Sequence, residues 1–178
     1  MEIVITRAGI VSSLFLSYDF EQTDLNAKHN NKTTSDAPIH DDLRQAFRAL
    51  IPHFVFMCEE INDEKIIADA IENPEDYLKD EESSKYPAFL KYYVSEFTLQ
   101  GKGDATKLKI FGSKRLEDFK SISWTAPEIF LDNSKYKFHS ELLDAVDVLK
   151  AEVIAYMEGK QAPNAQLEMF GGGEEEEE

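Results

Sequence analysis

A chain of 178 residues suits one domain with a tail, and 42 % hydrophobic content with twelve Phe and seven Tyr suffices for a single core. The absence of a run of about 18 apolar residues excludes a membrane-spanning helix, and a single cysteine, Cys58, excludes an internal disulfide and a cysteine-based zinc site. Thirty-five acidic against nineteen basic residues give a net charge of −16, which repels nucleic-acid phosphates and anionic membranes and points to protein partners or to mimicry of nucleic acid.

The first segments read as strands. EIVIT sets Ile3 and Ile5 on one side, and LFLSYDFE alternates Leu14, Leu16, Tyr18 and Phe20 against Phe15, Ser17, Asp19 and Glu21. RAGIVSS between them supplies a turn through Gly9. Glu2 and the Ser12-Ser13 break do not fit a secretory signal, and the single cysteine leads to the expectation of a reducing cytoplasm. Residues 22–37 read as a polar loop.

Pro38 then suits the first turn of a helix capped by Ser35 or Asp36. Leu43, Phe47, Leu50, Phe54, Cys58 and Ile61 make one apolar stripe, and Pro52 within it predicts a kink or short break. Residues 62–87 form a very acidic connector in which IIADAI supplies one or two helical turns. Residues 88–125 read as a three-stranded meander: FLKYYVSEFTLQ, the turn GKGD, ATKLKIFG and FKSISWT, with Ile122 and Trp124 on one face. A loop leads to a second helix whose stripe is Leu142, Val146, Leu149, Val153 and Tyr156 or Met157, closed by Gly159.

The expected architecture is α+β: an antiparallel sheet of about five strands with two main helices packed on one face. Residues 1–159 are expected to form the single domain, and 160–178 a flexible, disordered acidic tail.

Motifs for nucleotide hydrolysis, dinucleotide binding, metalloprotease and serine hydrolase chemistry are missing, which points away from an enzyme and from any cofactor. His40 with Asp41 and Asp42 is a weak metal arrangement, better read as acids complementing a helix N-terminus, and no metal site is expected. Cys58 falls within the apolar stripe, as an inert buried thiol does.

Two charge features stand out. Residues 59–82 are dense in Asp and Glu: a solvated connector, an intramolecular competitor for the basic strands, or a surface resembling a phosphate backbone, the last of which suits an inhibitor of a host nuclease or defence protein. The meander carries Lys102, Lys107, Lys109, Lys114, Arg115 and Lys120, interleaved with Tyr92, Tyr93, Phe97, Phe111 and Phe119. Cations beside aromatic platforms are what weak single-stranded nucleic-acid binding requires; alternatively, Lys107 and Lys109 are simply the solvated face of a strand.

The chain ends AQLEMFGGGEEEEE. AQLEMF resembles the sliding-clamp-binding peptide of bacterial replication and repair proteins. The resemblance implies that Gln166 hydrogen-bonds at a pocket rim while Leu167, Met169 and Phe170 fill a hydrophobic cleft, with Glu168 unconstrained. Clamp rings are generally acidic, so Glu174–Glu178 opposes such docking unless it meets a basic patch. The whole chain also resembles a group of small bacteriophage and prophage proteins encoded near replication or recombination genes. That likeness rests on the N-terminal strand pair, SDAPIHDDLRQAFRAL, a strand ending WTAP, and AEVIAYMEGKQAPNAQLEMF. It implies a setting in the bacterial cytoplasm and carries over no activity or catalytic residue.

Overall fold

The computed structural model describes residues 2–24, 27–132 and 134–162. Seven strands form one antiparallel sheet: β1 (Glu2–Val11), β2 (Phe15–Asp24), β3 (Ala27–Pro38), β4 (Tyr92–Gln100), β5 (Lys107–Arg115), β6 (Ser121–Thr125) and β7 (Ile129–Phe130). The order is β3-β2-β1-β4-β5-β6, with β7 also paired to β5. Helices α1 (Asp41–Arg48), α2 (Ile51–Met57), α3 (Glu64–Glu72), α4 (Glu75–Leu78) and α5 (His139–Met157) complete the α+β fold. None of these helices is long and apolar enough to cross a membrane.

The inner face of the sheet presents Ile5, Ala8, Leu16, Val94, Phe97, Leu108 and Ile110, all buried. Against it lie Leu43, Phe47 and Phe54 from α1 and α2 and the whole expected stripe of α5: Leu142, Val146, Leu149, Val153 and Tyr156. Fully removing a side chain of this size from water contributes about 1.5–3 kcal/mol. The break forecast from Pro52 is present: α1 ends at Arg48, and α2 restarts with Pro52 in its first turn, where the missing N–H costs nothing.

Three expectations are corrected. The polar stretch 22–37 is not a loop. Most of it belongs to β2 and β3, a long hairpin arm in which backbone pairing with β2 holds a largely exposed strand. Its half-covered positions, Asn31, Thr33 and Ser35, are polar, so no apolar alternation announces the strand. Gly9 is not a turn residue either; the reversal occurs at Ser12 and Ser13, whose φ of 53° and 59° lie in the left-handed region. Gly9 instead makes room, since a Cβ there would stand 2.9 Å from Glu96 Oε2. Finally, α1 is capped by neither Ser35 nor Asp36. Pro38 closes β3, and His40 is the cap, its Nδ1 accepting from the Leu43 N–H at 3.2 Å.

The acidic stretch 62–87 contributes α3 and α4, and buries Ile67, Ala70, Tyr77 and Leu78. Asp63 caps α3 by accepting from the Lys65 and Ile66 N–H groups. The meander falls at β4, β5 and β6, as its alternation indicates.

Candidate functional site

The C-terminal segment begins where α5 stops. Gly159, at φ 106°, allows the Lys160 N–H to reach Ala155 O at 2.9 Å, which satisfies a last-turn carbonyl. Three further contacts fix this exit to the end of β3 and the start of α1. Tyr156 Oη donates to Ala37 O at 2.5 Å, and the Ala162 N–H donates to Pro38 O at 3.0 Å. Lys160 Nζ lies 2.7 Å from Asp42 Oδ2 and 2.8 Å from Glu152 Oε2. Gln166, Leu167, Met169, Phe170 and the Glu174–Glu178 run lie outside the described residues.

Beside this exit, His40, Asp42 and Glu152 each offer one ligand atom, all within 4.8 Å of one another. The donor chemistry favours a latch over a metal. Because His40 Nδ1 accepts from Leu43, the neutral ring carries its proton on Nε2, which faces Glu152 Oε2 at 3.5 Å. Lys160 already supplies a cation between the two carboxylates, and its hydrogen bond holds the Asp42 carboxyl below the usual range. Asp41, weighed with His40 in the sequence, is not part of this cluster.

The meander cations divide between surfaces. Lys107 and Lys109 meet on Glu128 at 3.1 and 2.8 Å, and together depress its carboxyl pKa, Lys109 most. Strand alternation puts Lys114 on the opposite face of β5. There it bonds Glu60 at 2.5 Å and lies over the Tyr92 ring. Arg115 pairs with Glu81 at 3.6 Å, and Lys120 with its neighbour Asp118 at 3.0 Å. Lys102, at the β4–β5 turn, has no ion pair among the described residues. Apart from Lys102, these residues are therefore held in small, separate ion pairs.

The acidic stretch uses much of its charge internally as well. Lys85 bridges Asp69 and Asp76, and Tyr77 Oη donates to Asp69 at 2.5 Å, the largest reason its carboxyl pKa falls. Lys137 pairs with Glu64. Burial raises the Cys58 thiol, away from the reactive thiolate. Burial also lowers His53 to about 4, and its Nδ1 lies 2.9 Å from Tyr136 Oη. His53 also lines a cleft with Glu141 and Asp144, but its ring is fully buried and its lowered pKa comes from burial.

No protein-family model, curated protein or solved structure matches the chain.

Proposed function

We propose that this is a non-enzymatic, phage-type accessory protein of DNA replication or recombination, acting in the bacterial cytoplasm. It docks onto a DNA-processing protein of the sliding-clamp type through Gln166, Leu167, Met169 and Phe170. The observation that carries this reading is the QLEMF pattern itself, placed just beyond a segment latched to the domain at Tyr156, Lys160 and Ala162. The latch ends at Ala162, four positions before Gln166 in the sequence, and GGG follows Phe170. A short peptide gives up chain entropy on binding, so a few buried anchors must supply most of the affinity. Leu167, Met169 and Phe170 are the side chains able to do so, and Gln166 adds direction through hydrogen bonds.

The test is affinity purification of the full-length tagged protein from its native bacterial host, with the bound proteins identified by mass spectrometry. The parallel sample carries Gln166→Ala, Leu167→Ala and Phe170→Ala together. Recovery of the clamp by the wild type alone is expected. Equal recovery by both, or by neither, contradicts the proposal.

A further inference from the structure

In a chain so rich in acid, most Lys and Arg side chains are held in ion pairs. Arg44, Arg48, Lys79 and Lys91 are not paired with any carboxylate among the described residues, and all four line one cleft of about 400 Å³. Arg115 joins them, and no acidic side chain lines the cleft among the described residues. The cations come from distant parts of the chain: two from α1, one from the end of α4, one from the turn Pro87–Lys91, and one from β5. The topology creates the opening. Pairing of β1 with β4 ends at Gly9 and Glu96, and beyond that point Ile10 and Tyr93 line the cleft from their separate strands.

We propose that this cleft is a nucleotide site: it takes a phosphate on its cations and a base on Tyr93. The volume lies in the roughly 300–1,000 Å³ range of small-ligand sites. Arg44 is aligned by donating to Ser13 O at 2.8 Å, while Arg48, Lys79 and Lys91 are exposed and free to turn toward an anion. Crowding five cations without lining acids is unfavourable until an anion enters, and guanidinium forks match phosphate oxygens bidentately. Among the described residues Glu81 is the one carboxylate in contact, at 3.6 Å from Arg115, with both side chains mostly exposed, so it competes weakly.

The aromatic component favours a nucleotide over an acidic peptide. Tyr93 is 39 % exposed within this cationic rim, and the two guanidiniums of Arg44 and Arg48 are near enough to act on its hydroxyl. Ser113 and Ser121 also line the cleft and offer hydroxyls for sugar or base edges. A base stacked on such a ring is worth about 1–3 kcal/mol. The nucleotide can come free or as one unit of a single strand, since the chemistry is the same.

The test uses the full chain at low salt with three probes: thymidine monophosphate, fluorescein-labelled oligo-dT and inorganic phosphate. Calorimetry and anisotropy give the affinities. Arg48→Glu and Lys91→Glu, both at exposed positions, are expected to weaken nucleotide binding about tenfold or more. Lys65→Glu, at an unpaired cation on α3 that does not line the cleft, is expected to bind as the wild type does. Tyr93→Ala is expected to lose at least about fivefold on the nucleotide probes and nothing on inorganic phosphate. The ratio of the free and oligomeric probes identifies the source. Thermal melts of each variant establish folding. Failure of the wild type to bind either nucleotide, unchanged binding by Arg48→Glu and Lys91→Glu, or indifference of the nucleotides to Tyr93→Ala overturns the proposal.

Discussion

Arg7 Nη2 lies 2.5 Å from Glu96 Oε2, joining β1 to β4 across the outer face of the sheet. Those strands share only the pairs Arg7–Thr98, Ala8–Phe97 and Gly9–Glu96, yet this seam unites the β1–β2–β3 arm with the meander. Arg7 also reaches Asp19 at 3.4 Å and Ser17 Oγ at 3.1 Å, so one guanidinium spans three strands. Its own pKa is raised, chiefly by the Glu96 hydrogen bond.

Replacing Arg7 with Leu leaves Asp19 and Glu96 as uncompensated neighbours on a half-buried surface. Urea denaturation is expected to show a loss of about 1–3 kcal/mol. Gly9→Ala acts on the same contact, because its methyl group would press on Glu96. Additive losses for the two substitutions would show that they do not share the seam.

Gly112 is where the sheet accepts α2. A Cβ there would stand 2.6 Å from Tyr93 O and 2.7 Å from Phe54 Cζ, and Phe54 is itself stacked on Trp124 at 5.7 Å. Backbone on one side and a buried ring on the other leave little room to yield. Gly112→Ala is expected to destabilise by about 3 kcal/mol, read from the denaturation midpoint. A midpoint within error of the wild type would place Phe54 elsewhere.

His53 carries a pH dependence with a definite sign. Its pKa falls from about 6.5 in the unfolded chain to about 4 in the fold, because burial penalises the charged ring. Between those values the unfolded state binds more protons, so the stabilising contribution is complete above pH 6.5 and is lost as pH falls toward 4. The full loss is on the order of 3 kcal/mol. Denaturation at pH 7 and at pH 5 should show a smaller difference for His53→Phe than for wild type, and an imidazole NMR titration should give a midpoint near 4. An ordinary midpoint near 6.5 would mean the ring is hydrated.

The α5 stripe, the meander and the Pro52 break were all legible because burial on one face writes a period into the sequence. The β3 strand was not, since residues such as His29, Asn30 and Lys32 face water, the half-covered Asn31 and Thr33 are polar, and only backbone pairing with β2 makes them a strand. Gly9 looked like a turn because the space it leaves belongs to Glu96, distant in the chain. The same distance hid the cation cleft. Arg44, Arg48, Lys79 and Lys91 lie in three unremarkable contexts, whereas the conspicuous lysines of β5 turned out to be paired with Glu128 and Glu60. Sequence density of charge reports what is local; convergence is set by topology.

The docking role of the C-terminal peptide is tested most directly by calorimetric titration of the purified host sliding clamp with the full-length protein and with Phe170→Ala. The expected result is a micromolar complex, about −8 kcal/mol, with a loss of 2 kcal/mol or more (roughly thirtyfold) on removing the Phe170 ring. Equal affinity for the two proteins, or no heat of binding from the wild type, would contradict it.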